Sequence, residues 1–255
     1  MSWAKNKRNK YILGFLFFMV LVIGITAVLL WDNEPTCSDN TQNQGEKGVD
    51  CGGPCDVLCQ SQVTDLNILW SRSFKVVDGI YNAVAYIENP NFEGGIKSLP
   101  YTFKLRDKEN IIVAERLGNV FVPPGEVVAV FEPSIKTGKR VSHLTTFSID
   151  EERHMWEKME SYENPLKVMN IKRKLYGSSP KLEAEIKNTS IEEVSDISVT
   201  VTIFNKENNA IGVSETYVSS LAGGNSTSIV FTWPRSFQEE ISKVDIKTQI
   251  PFSKG

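Results

Sequence analysis

The feature that most constrains this chain is an alternation of apolar and polar residues that occurs twice, almost 100 residues apart. Leu99, Tyr101, Phe103 and Leu105 are apolar, while Thr102, Lys104 and Arg106 between them are polar. Ile197, Val199, Val201 and Ile203 repeat the apolar set at a constant offset of 98. A period of two puts one set of side chains on one face of a β-strand, so each stretch predicts a half-buried strand. The match extends outward. Ala83, Ala85 and Ile87 precede Asn89 as Leu182, Ala184 and Ile186 precede Asn188. Asp107-Lys108-Glu109-Asn110 corresponds to Asn205-Lys206-Glu207-Asn208. Pro123-Pro124-Gly125 precedes Val127–Phe131 as Gly223-Gly224-Asn225 precedes Ser228–Phe231. A drift of one or two residues over this length predicts an internal duplication. Strands at 8–12-residue spacing, with Pro- and Gly-rich turns, predict a sandwich in each copy.

The expected fold class is therefore all-β: two tandem Ig-like β-sandwiches over 62–149 and 165–255, with a charged linker at 150–164. Neither copy contains a Cys pair, which separates both from antibody-type domains. The second copy is similar to FxLYD and related Ig-like domains of bacterial envelope proteins. The resemblance rests on Leu182–Asn188, Val199–Asn205, Leu221 with its Gly-rich turn, and Ser228–Phe231. The first copy resembles the same group through Val84–Asn91. The residues involved are core positions, so the resemblance implies fold and brings no active-site residues. In the linker, Met155, Trp156 and Met159 have helix-like spacing. They are expected to cover one end of a neighbouring domain, on a short helix or an edge strand.

Ahead of the repeats lies a different kind of sequence. Residues 1–10 carry Lys5, Lys7, Arg8 and Lys10 and no acid, against a net charge of −3 for the whole chain. Tyr11 to Trp31 then form a 21-residue run without a charge or a proline. As a helix this run spans about 31 Å, close to the thickness of a bilayer's hydrocarbon core. Tyr11 and Trp31 bracket it where aromatic rings favour the headgroup level. The run is longer than a signal-peptide core and ends without a small-x-small cleavage site. A transmembrane helix at 11–31 is expected, its basic flank holding the N-terminus in the cytoplasm and sending the C-terminus outside.

Residues 32–61 hold all four cysteines: Cys37, Cys51, Cys55 and Cys59. Outside the cytoplasm two disulfides are expected, with three pairings open. Spacings of 13, 3 and 3 do not suit a zinc ribbon's paired C-x2-C. Asp39, Asn43, Glu46 and Asp50 are oxygen donors of the kind calcium takes, although the EF-hand order is absent. The stretch from Cys37 to Cys55 resembles a short Cys-rich repeat of bacterial surface proteins, C-x-D-G-x-x-N-x-x-E-x-G-x-D-C-G-G-x-C. It departs from that pattern at Asn40, where the repeat has Gly. Asn tolerates a left-handed backbone better than most residues.

No nucleotide loop, nucleophile elbow or H-E-x-x-H is present, and the two histidines, His143 and His154, neighbour no nucleophile. The expected function is a non-enzymatic, single-pass membrane protein of the cell envelope that binds or organises a protein or glycan partner. No nucleic acid or small-molecule substrate is indicated, and calcium is the one cofactor entertained. The alternatives are a calcium-dependent adhesion or assembly module, or an envelope hydrolase built from carboxylates that only the fold would gather.

Overall fold

In the computed structural model, residues 2–29, 36–150, 154–159 and 162–252 are described, with the first helix's side chains at Arg8 and from Lys10 to Thr26. The chain divides into two compact units, Met1–Cys55 and Asp56–Gly255. The first contains helix α1 (Ser2–Leu29) and the loop of residues 36–55. Among the described residues no helix is long and apolar enough to cross a membrane. The expected span at 11–31 is therefore not found as such. Its described side chains stop at Thr26, and residues 30–35 lie outside the described ones.

The second unit is built almost wholly from antiparallel strands. A three-residue turn at Gln60–Gln62 leads into β1 (Asn67–Val77), β2 (Ile80–Glu88), β3 (Gly94–Arg106), β4 (Ile112–Val122), β5 (Val127–Lys136) and β6 (Leu144–Ile149). The two-residue β7 (Glu157–Lys158) follows. Next come β8 (Leu166–Lys174), β9 (Lys181–Asn188), β10 (Val194–Asn205), β11 (Ala210–Leu221), β12 (Ser226–Thr232) and β13 (Ile241–Gln249). One pair of sheets has the orders β1-β2-β5 and β4-β3-β6; the other has β8-β9-β12 and β11-β10-β13. Advancing each strand number by seven converts the first pair into the second. Among the described residues the one strand with no counterpart is β7, which pairs with the start of β3.

Each pair of sheets encloses its own core. Strand β9 shows why: Leu182, Ala184, Ile186 and Asn188 are buried, and the residues between them are not. Their alternation leaves one face apolar, and water drives that face against the opposing sheet. Leu182, Ile186, Ile197, Val199, Val201, Ile203 and Phe231 fill the second core. Ala85, Ile87, Leu99, Phe103, Leu105 and Val122 fill the first, where Phe103 and Phe147 meet edge to face.

Strand β2 breaks the alternation. Val84 and Tyr86 are buried along with Ala83, Ala85 and Ile87, so both faces of the strand are covered. The outward side chains join a third cluster, in which Val84, Tyr86, Ala129 and Val213 are buried against Trp70, Phe74 and Phe131. Val213 comes from β11 and the others from β1, β2 and β5. The outer face of β1-β2-β5 thus packs on the β11-β10-β13 sheet, and the two pairs meet along an apolar seam.

The described linker residues around Trp156 form an edge strand, β7, and no helix. Trp156, 3% exposed, closes the end of the first core, and its carbonyl accepts the Leu58 N–H. Glu157 and Lys158 pair with Gly94 and Gly95, and Lys97 bridges to Glu157. A Cβ on Gly94 would stand 2.9 Å from Leu58 and 3.5 Å from Trp156, so a glycine is what lets this plug seat.

Candidate functional site

The loop of residues 36–55 is held by turns and cross-links. Cys37 and Cys55 are bonded, with Cα atoms 5.7 Å apart; Cys51 and Cys59 are disulfide-bonded too, and no cysteine is free. Cross-links of this kind hold order in a segment too short and polar to bury a core. Asn40 has φ 57, a left-handed conformation that Asn tolerates better than most residues. Gly53, at φ 60, could not be replaced: a Cβ there would stand 2.1 Å from the Gly45 carbonyl oxygen.

Three of the four candidate calcium ligands, the carboxylates of Asp39, Glu46 and Asp50, accept hydrogen bonds from the loop itself, whereas the Asn43 Oδ1 is buried without a hydrogen-bond partner among the described residues. Both Asp50 oxygens accept N–H groups, from Asp39 and Asn40. Glu46 Oε2 accepts those of Asn43 and Asp50. Asp39 accepts the Thr41 N–H, the Thr36 hydroxyl and the Asn43 amide. The Thr36 hydroxyl first, then the Asn43 amide, holds the Asp39 carboxyl below its ordinary value. Among the described residues, the one set of three His, Cys, Asp or Glu ligand atoms within 4.8 Å of one another is Cys37, Glu46 and Cys55. Its two sulfurs are bonded to each other, so neither is a thiolate, and a metal centre does not follow. Glu46 Oε1 lies 3.3 Å from the Cys55 sulfur, a contact without a proton to share. The carboxylates of Asp39, Glu46 and Asp50 thus cap turns of the loop, and the Asn43 amide joins them by donating to Asp39. Lys5, Lys7, Arg8 and Lys10 all fall within α1.

The chemistry that the sequence did not announce lies in the seam. The Tyr86 hydroxyl accepts from Thr202 and donates to Asp245, both at 3.0 Å, tying β2 to β10 and β13. Burial raises the Tyr86 hydroxyl's pKa, and the Asp245 charge raises it further. Arg72 reaches across to the Ala210 carbonyl, and the Gln249 amide to that of Phe121. Beside this lies a cavity of about 460 Å³ whose walls include Tyr101, Phe131, Ser198, Glu215 and Phe252. The Tyr101 hydroxyl donates to Glu132 at 2.7 Å, and the Thr200 hydroxyl to Glu215 at 3.2 Å. Desolvation pushes Glu215 up to about 7; Thr200 opposes this and the Glu132 charge adds to it. The one trace of the seam in the sequence is the unbroken buried run Ala83–Ile87, since a strand covered on both faces loses its alternation.

No protein-family model matches the chain, and no curated relative does. Among solved structures the chain is similar to red sea bream transglutaminase, at 12% identity and a TM-score of 0.27, covering 75% of this chain and 32% of that one. It is similar to a glycoside hydrolase family 2 β-glucuronidase at 9% identity and a TM-score of 0.22, covering 87% of this chain and 26% of that one. The tandem CBM22-1-CBM22-2 domain of Paenibacillus barcinonensis Xyn10C gives 10% identity and a TM-score of 0.16, with 74% and 84% covered. The chain thus spans about a third and a quarter of the two enzymes, and likenesses this slight carry no argument about its activity.

Proposed function

We propose that this chain is a single-pass, membrane-anchored binding or scaffold protein of the cell envelope, working outside the cytoplasm and without catalysis. The observation that carries the reading is α1. Phe15, Leu16, Phe17 and Phe18 are each more than half exposed, and four consecutive residues at 100° intervals cover every side of a helix. A helix apolar all round needs either a protein interior or a bilayer around it. The part of the apolar run whose side chains are described, Tyr11–Thr26, is 16 residues long, about 24 Å as a helix. The uncharged sequence continues to Trp31, which brings the run to 21 residues and about the thickness of the hydrocarbon core. Lys5, Lys7, Arg8 and Lys10 on the N-terminal side favour a cytoplasmic N-terminus.

The disulfide-bonded loop agrees with an oxidising compartment on the other side. Beyond it, two tandem Ig-like sandwiches, locked through the Tyr86 seam, form a stiff body that offers loops and strand edges to a protein or glycan partner in the envelope. Membrane attachment is tested by alkaline carbonate extraction of native membranes. The chain stays in the pellet and is released by detergent; release by carbonate alone ends the anchor reading. A C-terminal reporter that functions only outside the cytoplasm checks orientation. Cross-linking pull-down with the detergent-solubilised full chain should return a stoichiometric envelope partner. Recovery of background alone removes the scaffold role.

A further inference from the structure

A second cleft opens on the seam, and its lining differs from that of the acidic cavity. It is about 200 Å³, walled by Phe74, Lys75 and Asn82 from the first sheet pair and by Gly212, Trp233 and Arg235 from the second, among others. Among the described residues no carboxylate lines it. Trp233 is 8% exposed and its indole Nε1–H is buried without a hydrogen-bond partner. The Nε1 lies 3.2 Å from where a Cβ would stand on Gly212, which forms part of the same wall. Leaving a buried donor unpaired costs about 1–3 kcal/mol, so an orphan of this kind in a cleft wall calls for an acceptor.

The neighbouring groups are donors as well. Arg235 makes no ion pair among the described residues, although its charge is felt at Asp78. Asn82 uses its Oδ1 to accept the Ser134 N–H, which leaves its NH2 end. Lys75 is held by Asp78 at 2.6 Å at the rim. Phe74 supplies an apolar wall, and Phe237 lies over Gly212, where a Cβ would meet its ring at 2.4 Å. A lining that counts Arg235, Lys75, Asn82 and Trp233 among its residues, with the rings of Phe74 and Phe237 and no carboxylate, matches a carboxylate carried on a small flat or apolar body.

We infer that the cleft between β1–β2 and the β11–β12 side of the second sheet pair is a binding site for a small carboxylate, with Trp233 and Arg235 as its donors. Both sheet pairs contribute walls, so the site exists only where they are docked.

The test uses the full chain in a neutral detergent, labelled with 15N at tryptophan. The indole N–H resonance of Trp233, identified by its loss in Trp233→Phe, is followed as benzoate is added. Inorganic phosphate and benzylamine are titrated in parallel. The expected result is a saturable downfield shift of that one resonance with benzoate and none with benzylamine. Arg235→Ala should weaken the response at least about tenfold, the scale of one lost charge-assisted hydrogen bond, while the other indole signals stay in place to report an intact fold. The indole of Trp156, also buried and unpartnered but set in the plug of the first core, is the internal control. No shift at Trp233, an equal shift at Trp156, a response to phosphate alone, or an unweakened Arg235→Ala would each overturn the assignment.

Discussion

The two sheet pairs of the body solve the same mechanical problems, and the places where they do so with different residues are the instructive ones. At the end of β2, Asn89 is 1% exposed; at the end of β9, Asn188 is fully buried. The Asn89 amide donates to the carbonyls of Gly94 and Pro123, and its Oδ1 accepts the Asn91 N–H. Asn188 donates to the carbonyls of Glu192 and Leu221 and accepts the Ser190 N–H. Each plug satisfies three backbone groups where the chain crosses between sheets. Only an amide side chain of this length offers both donors and acceptor, so the two pairs share the residue. At the β3–β4 and β10–β11 turns, Asp107 stands in one pair and Asn205 in the other. Both cap N–H groups of the turn, but Asp107 meets Arg140 while Asn205 meets Glu239. Where the task is only to accept, the residue is free to follow the charge of its partner.

The plug is the point at which the likeness is broken most severely. Asn89→Ala or Asn188→Ala strands two carbonyls and an N–H, each worth about 1–3 kcal/mol when buried, less whatever water repairs. We expect each substitution to cost about 3 kcal/mol in urea unfolding. A loss below about 1 kcal/mol in one pair alone would mean that the plugs are alike only in geometry.

The seam separates the pairs next. Glu215 stands across it from Glu132, with Thr200 and, one strand further on, Lys247 in the same cross-strand row. Its carboxyl is raised from an ordinary value near 4.5 to about 7 in the folded chain. A raised acid favours the folded state most when protonated, so the contribution is complete below about pH 4.5 and is lost as pH rises through 7. Glu215→Gln keeps the shape and removes the charge. It should stabilise the chain at pH 8 by about 2 kcal/mol and leave it unchanged at pH 4, read as Tm against pH. A parallel shift at both values would rule out titration at this position.

A smaller effect is expected at Tyr86. Phenylalanine there keeps the ring stacked on Trp70, 4.5 Å away, and removes the hydroxyl from Thr202 and Asp245. The cost is about 1 kcal/mol. It should fall on the seam, so that the two pairs begin to unfold in separate steps. A single transition, merely shifted, would show that the apolar contacts of Val84, Val213 and Phe131 hold the pairs together unaided.

Part of this plan is legible in the sequence. The alternation of Leu99–Leu105 and Ile197–Ile203 located the central strands, because one buried face is enough to imprint a period of two. Asn110 and Asn208, at φ 63 and 60, stand at the ends of the matched four-residue turns, and Gly125 and Gly224, at φ 64 and 75, lie within the matched Pro-Pro-Gly and Gly-Gly-Asn turns. The seam left a fainter imprint, the unbroken run Ala83–Ile87. Val84 and Tyr86 face out of the first pair yet are as apolar as the core residues beside them, so the alternation is lost, but nothing local tells which sheet covers the outer face. At Met155, Trp156 and Met159 the spacing left a short helix and an edge strand both open, and the fold takes the strand. Trp156 is drawn into the end of a core formed by distant strands, and the backbone pairs with Gly94 and Gly95 instead of with itself. In the disulfide loop, the acids that read as ligands are taken up by N–H groups 2 to 11 residues away, a demand set by turns that spacing alone does not reveal.

The finest test concerns the turns, because there the two pairs differ by a single atom. Burial pushes the Asp107 carboxyl up, but the Ile111 N–H, Arg140 and the Glu109 N–H outweigh it and hold it below its ordinary value of 3.8. A depressed acid gives stability that is present above its unfolded value and is lost as pH falls through the folded one. Protonation removes the pairing with Arg140 and weakens the cap on Ile111. Asn205 cannot titrate, and its cap on the Asn209 N–H persists. Amide exchange at Ile111 should therefore quicken below about pH 4 relative to Asn209, once the intrinsic pH dependence of exchange is divided out. Asp107→Asn should abolish that difference and leave both turns insensitive to acid. Equal quickening at the two turns in the unaltered chain would place the acid response elsewhere in the sheets and remove Asp107 as its source.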